Sequence, residues 1–248
     1  MEGQAFRDDL FAGRVALVCG GTSGIGAAIG DALAGCGALV TVTGATLAEA
    51  DAARGQPDFR CRDALPLDVR DPASIRSLVA DLPRLDIVIN AAGVIRRDAE
   101  HDPHIFAEVI DINLTGTMRV CAATRPLLEK SRGCIVNVTS MLAFFGGGRV
   151  PGYSASKGGL AQLTKSLAIA YARDRIRVNA VAPGWITTPL TQALQDDRER
   201  SAAIIARTPL GRWGKPADVA GTVVFLCSPA AEFVTGAIIP VDGGYLAS

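Results

Sequence analysis

The chain has 248 residues, 49% of them hydrophobic and 20% charged, enough to bury one sizeable core without dividing into domains. Lysine plus arginine and aspartate plus glutamate number 25 each, so no basic excess draws nucleic acid or an anionic membrane, and a small-molecule partner is expected. No stretch approaches the ~20 uninterrupted apolar residues of a membrane span, and residues 1–10, with Glu2, Arg7, Asp8 and Asp9, lack the apolar segment of a signal peptide, so a cytoplasmic protein is expected.

Past this polar arm, residues 14–18 read as a short apolar strand, Cys19-Gly20-Gly21-Thr22-Ser23-Gly24-Ile25-Gly26 as a turn, and residues 25–34 as an alanine-rich helix. Glycines let a backbone approach a pyrophosphate, and a helix N-terminus offers unpaired N–H groups and the positive end of a dipole. Gly20, Thr22, Ser23, Gly24, Ile25 and Gly26 are therefore candidate dinucleotide contacts, although a plain helix cap uses the same residue types. The second strand, 38–43, ends in Thr43-Gly44-Ala45-Thr46, where an acid would bind the ribose hydroxyls of NAD and an arginine the 2′-phosphate of NADP. Neither stands there. With no cation placed for a phosphate, NAD is expected in preference to NADP, with Gly44 at its edge; the hydroxyls of Thr43 and Thr46 leave NADP open.

A short third strand ends in Leu67-Asp68-Val69, and Asp68 is equally suited to cap the turn before Asp71-Pro72. A helix at 72–81 leads into a fourth strand at 86–90, which ends in Asn90-Ala91-Ala92-Gly93, small residues that leave room for a cofactor. Residues 105–130 read as a long helical region broken near Asn113-Leu114-Thr115-Gly116. Asparagine and glycine each cost a helix up to about 1 kcal/mol, so a functional kink is expected. The fifth strand, 134–139, delivers Ser140; a glycine-containing loop follows, then a helix over 150–172.

That helix carries Tyr153 and Lys157, four apart and so on one face. A phenol titrates near about 10, and a fixed positive charge within a few ångströms favours the phenolate. Tyr153 is the candidate acid/base, Lys157 the charge that tunes it, and Ser140 the hydroxyl that holds the reacting oxygen; alone, the same pair would merely decorate an amphipathic helix. A sixth strand at 175–181 ends in Pro183-Gly184. Residues 185–210, weakly periodic, suit a mobile cover over a substrate or a plain surface helix pair. A helix at 217–227 and a strand at 237–241 close the chain. Strands alternating with helices predict an α/β fold: a Rossmann-type doubly wound parallel sheet of about seven strands in one domain, 1–248, with the covering segment at 185–210.

The glycine turn after Val15-Ala16-Leu17-Val18, then Asn90-Ala91-Ala92-Gly93, Asn113, Ser140 and Tyr153-Ser154-Ala155-Ser156-Lys157, in this order, resemble the short-chain dehydrogenase/reductase family across essentially the whole chain. Cys19 and Ala91 depart from the family's usual threonine and asparagine. The resemblance implies reversible hydride transfer between a nicotinamide and a secondary alcohol or ketone, with Asn113, Ser140, Tyr153 and Lys157 as the catalytic set and Asn113 organising a proton-relaying water. It implies further cofactor contacts at Asp68, Val69, Asn90, Ala91, Gly93, Tyr153, Lys157, Pro183, Gly184, Ile186 and Thr188. It also implies a homotetramer, with the helices around Asn113 and Tyr153 at one interface.

Within the family, residues 92–97, 140–144, 148–151 and 211–214 are similar to sugar-acid dehydrogenases. Ser140, Met141 and Trp185 become candidate substrate contacts, and Arg96 and Arg149 candidate carboxylate anchors unless they are surface charges. A 3-oxoacyl thioester reductase using NADPH and a non-catalytic dinucleotide sensor stay open as alternatives. Six cysteines scattered singly, and His101 with His104 lacking further ligands, suggest neither disulfides nor a metal.

Overall fold

A computed structural model describes residues 5–248; Glu2 of the polar arm lies outside them. Seven strands, β1 (Val15–Cys19), β2 (Leu39–Gly44), β3 (Asp63–Pro66), β4 (Ile87–Asn90), β5 (Cys134–Val138), β6 (Arg177–Pro183) and β7 (Ile238–Val241), form one sheet in the order β3-β2-β1-β4-β5-β6-β7. Every pairing is parallel, with Val18 opposite Val42 on one side and Ile89 on the other. Both faces are covered, and alternation along each strand sorts the core into two layers. Ala16, Val18, Ile87, Ile89 and Val136 face α1 (Gly24–Gly35), α2 (Leu47–Arg54) and α9 (Pro216–Cys227). Leu17, Val88 and Ile135 face α3 (Pro72–Ala80), α5 (Gly116–Ser131) and α6 (Pro151–Tyr171).

The chain leaves β1 for one edge of the sheet and returns at β4 for the other, so the carboxyl ends of these central strands open onto a crevice, where ligands of such sheets bind. Helix α4 (Pro103–Ile110) is joined to α5 by one turn of π-helix, Asp111–Thr115. The expected interruption near Asn113 is therefore a widened turn inside a continuous helix, a form that recurs at functional sites.

One helix escaped the sequence reading, and one strand end is corrected. Helix α2 went unanticipated because LAEADAAR has little apolar periodicity; Thr46 starts it by accepting from Glu49 N at 3.2 Å. Strand β3 stops at Pro66, so Leu67-Asp68-Val69 lies just beyond it. The segment 185–210 contains α7 (Gln192–Gln195) and α8 (Arg198–Arg207), and Trp213 fastens it by donating to Ser201 Oγ at 2.9 Å.

Candidate active site

A cavity of about 810 Å³ lies along the carboxyl ends of β1, β2, β4, β5 and β6. Its floor at β1 is the glycine turn. Gly20 has φ +75°, and a Cβ there would stand 2.5 Å from Ala92 N; a Cβ on Gly26 would stand 2.0 Å from Gly20 O. Only glycine fits, and the turn brings β4, β1 and α1 together as a backbone-walled cradle. Ser23 caps α1 without a side-chain bond, which leaves the helix's first N–H groups turned to the cradle. A backbone cradle at a twelve-residue helix's N-terminus suits a pyrophosphate, so the residues fit a dinucleotide.

Gly20, Thr22, Ser23, Gly24, Ile25, Gly26, Gly44, Asp68, Val69, Ala91, Gly93, Pro183, Gly184, Ile186 and Thr188 all line this cavity, as do Ser140, Met141, Arg149, Tyr153, Lys157 and Trp185. Asn90 does not. It is buried in the sheet, donating to Asn137 Oδ1 at 2.9 Å while Asn137 donates to Thr164 Oγ1 at 2.9 Å. Asn90 thus ties β4 to β5 and α6 rather than reaching the cavity.

Tyr153 and Lys157 stand on the cavity side of α6, and the Lys157 ammonium is 5.4 Å from the Tyr153 ring centroid. Lys157 is buried and donates to Val138 O at 2.8 Å. Burial holds its pKa down at about 8, and burial pushes the Tyr153 phenol up to about 12, against a downward pull from Ser140 and a further push from the Glu100 carboxylate. Burial of the ring is the largest influence on the phenol, and the Lys157 ammonium stands beside it as the nearby cation. Ser140 closes β5 and accepts from Leu142 N at 3.2 Å.

Asn113, in the π-turn, is fully buried. Its Oδ1 accepts from Val94 N at 2.8 Å, and its Nδ2 donates to Val94 O at 3.0 Å and Ser156 Oγ at 3.1 Å. The side chain does not line the cavity; it pins the loop after β4 to α6.

That loop settles the arginines. Arg96 lies outside the cavity, paired with Glu108 at 3.1 Å, and Arg149 lines it but is bound through Nε to Asp98 Oδ1 at 2.7 Å. Arg97, which sequence reasoning passed over, lines the cavity half-buried. Backbone bonds hold its neighbours, Arg96 N to Glu100 Oε1 and Asp98 N to Arg149 O, each at 2.8 Å. Among the described residues its guanidinium has no carboxylate partner within ion-pairing distance. Burial, then the Arg149 charge, pull its pKa below the ordinary guanidinium value. A desolvated cation next to another cation is a place for an anion. Trp185 adds a buried indole N–H with no partner among the described residues and meets Trp213 edge-on at 5.9 Å.

At the far end, Glu49 was also missed. Its Oε2 accepts from Ala45 N at 2.8 Å, and both residues line the cavity beside Gly44 and Thr22. The cation there, Arg70, is engaged by Asp68, whose Oδ2 it meets at 2.7 Å.

The family model described as enoyl-(acyl carrier protein) reductase matches residues 20–246, nearly the whole length over which the cradle, the loop and the tyrosine helix are arranged. The chain belongs to the short-chain dehydrogenase/reductase family. It is a nicotinamide-dependent oxidoreductase acting on a CH–OH group. It is 43% identical to the 2-dehydro-3-deoxy-D-gluconate 5-dehydrogenase of Pseudoalteromonas atlantica, with 94% of this chain and 96% of that one covered. It is 42% identical to the cis-4-hydroxycyclohexanecarboxylate dehydrogenase of Sinomonas cyclohexanicum, over 96% and 99% of the two chains. A crystal structure from Agrobacterium tumefaciens, assigned as a 2-deoxy-D-gluconate 3-dehydrogenase and containing bound NADP, superposes with a TM-score of 0.88 at 41% identity over 97% and 99% of the chains. No group of three or more His, Cys, Asp or Glu among the described residues is placed to hold a metal, and none of their helices is long and apolar enough to cross a membrane.

Proposed function

We propose that this protein interconverts a secondary alcohol and a ketone on a sugar acid of the 2-deoxy-D-gluconate or 2-dehydro-3-deoxy-D-gluconate type. The observation that carries the reading is Arg97, a guanidinium with no carboxylate partner among the described residues, on the wall of the cavity that also holds Tyr153 and Ser140. The named relatives act on molecules that carry a carboxylate and a secondary alcohol in one small skeleton, and these two features are what Arg97 and Tyr153 would receive.

The nicotinamide cofactor, when bound, supplies or takes the hydride. Gly20, Thr22, Ser23, Gly24, Ile25 and Gly26 would hold its pyrophosphate side, Gly44, Asp68 and Val69 its adenosine side, and Ala91, Gly93, Pro183, Gly184, Ile186 and Thr188 its nicotinamide side. Tyr153 gives or takes the proton of the reacting oxygen, Ser140 orients that oxygen, and Lys157 carries the proton onward from the phenol. Asn113 keeps the Val94 loop against α6. Arg97 anchors the carboxylate, Arg149 adds positive potential, and Met141 and Trp185 close around the skeleton, with residues 185–210 as the cover.

For the cofactor we infer a preference for NAD. A 2′-phosphate at the Gly44 edge would face the Glu49 carboxylate, while Arg70 is already neutralised by Asp68. We also infer self-association through α5 and α6, whose Met118 and Ile169 are exposed apolar side chains; light scattering at a single-chain mass would overturn this.

The reading is tested by steady-state turnover of the acid against a neutral analogue of the same skeleton. Turnover confined to the acid supports it. Equal turnover of both, or activity only with an acetoacetyl thioester, overturns it.

A further inference from the structure

The loop after β4 and the start of α6 share a side chain that the reaction above does not use. Glu100 is 1% exposed. Its Oε1 accepts from Arg96 N at 2.8 Å, and its Oε2 accepts from Tyr153 N at 2.7 Å, across 53 residues of chain. Helix α6 has Val150 at its N-cap, with no side chain able to cap it, and Pro151 at its first position. The cap comes from elsewhere in the fold.

A helix N-terminus needs an acceptor, but a neutral one is enough. Here the acceptor is a carboxylate that forms no ion pair among the described residues, and burying an unpaired charge is costly. The positive end of α6 and two charge-assisted bonds offset that cost. What those bonds specify is a fixed distance between Tyr153 and the residue preceding Arg97. The fit is close: a Cβ on Gly152 would stand 3.3 Å from Glu100 Oε2 and 3.2 Å from the Phe106 ring.

We propose that Glu100 is a positioning residue that sets the proton-transfer group Tyr153 and the anion-receiving loop Arg96–Arg97 in one rigid relationship and holds a negative charge behind the phenol. The position is set through backbone, so it acts on both ends at once. The charge has a sign that can be read: it disfavours the phenolate, pushing Tyr153 upward, and it raises Arg97. Other charged groups act on the pair: Arg200 of α8, which acts on Arg97, pairs with Asp197 at 3.2 Å. Lys157 on α6 bonds Val138 O; on the loop, Arg96 pairs with Glu108 of α4, and Asp98 with Arg149; His101 bonds Gly148 O at 3.1 Å. Among the described residues, none of these charged side-chain groups bonds the Glu100 carboxylate.

The inference rests on Tyr153 as acid/base, and the test separates the two. In E100Q, which keeps the shape and removes the charge, the tyrosinate absorbance titration of the substrate-free protein, taken against Tyr153→Phe, shifts to lower pH, by roughly half a unit or more. In the same variant kcat falls roughly ten- to a hundredfold as the register loosens. E100D keeps the charge and shortens the reach: its titration stays at the wild-type position while kcat falls and KM for the acid rises. A lower melting temperature in both variants, with unchanged titration, kcat and KM, makes Glu100 a helix cap only and overturns the proposal. If E100Q does not fold, E100D with wild-type kcat and KM overturns it alone. Wild-type protein inactive on the acid, with the titration shift present, rejects the substrate reading and leaves Glu100 standing.

Discussion

Lys157 stands 5.4 Å from the centre of the Tyr153 ring and spends one of its N–H bonds on Val138 O at 2.8 Å, so the cation is anchored to the end of β5 beside the phenol. This fixes the pair in one arrangement. Burial drives the lysine down to about 8 and the tyrosine up to about 12, so at neutral pH the site is arranged to donate protons more readily than to accept them.

Alcohol oxidation by the wild-type protein should therefore climb as pH rises through about 8, where Lys157 gives up its proton, while ketone reduction falls. Initial rates in both directions across pH 6–10 check this; a flat oxidation profile would speak against Lys157 as the proton carrier.

The same burial costs stability. A lysine lowered from 10.5 to about 8 destabilises the folded chain by about 3 kcal/mol below pH 8, a cost relieved as pH rises from 8 to 10.5 because the unfolded chain then binds more protons. Lys157→Met should lose activity, and its stability relative to wild type should decline steadily over that window. Denaturant midpoints at several pH values read the difference, and a constant gap would contradict it.

Arg97→Met should raise KM for the acid ten- to a hundredfold, about 1.4–3 kcal/mol, while leaving a neutral alcohol nearly untouched. Arg96→Met should do little, because Arg96 faces Glu108 outside the cavity. Arg149→Met should fall between the two, since its guanidinium is already held by Asp98.

Glu49→Arg should reverse the cofactor preference by replacing a carboxylate with a cation at the Gly44 edge. The ratio of kcat/KM for NADP over NAD is expected to rise at least about tenfold. An unchanged ratio would show that the adenosine end is read by other groups.

Much of the fold was legible because strand and helix periods, the glycine turn and the Tyr153–Lys157 spacing are local in sequence. The parallel sheet, its seven strands and the placement of the glycine turn followed from these. What escaped depends on tertiary contacts that no local pattern encodes. Arg96, Arg97 and Arg149 are chemically alike, and only the structure gives Glu108 to the first and Asp98 to the third. Asn90 sits at the end of a strand that approaches the cavity, yet its amide turns inward to Asn137. Glu49 lies in a helix with too weak an apolar face to be seen, and Glu100 acts on a residue 53 positions away. For Glu49 a signal was present, an acid three residues after Thr46 in a capping pattern.

The most direct measurement is absorbance in the reduced-nicotinamide band with 2-dehydro-3-deoxy-D-gluconate or 2-deoxy-D-gluconate, for wild type and Tyr153→Phe, each with NAD and NADP. Nicotinamide turnover by the wild type, stronger with the NAD pair, is expected, with loss of at least about a hundredfold in kcat in the variant and cofactor affinity retained. Full activity in Tyr153→Phe, or a wild type silent on these acids but active on an acetoacetyl thioester with NADPH, would contradict it.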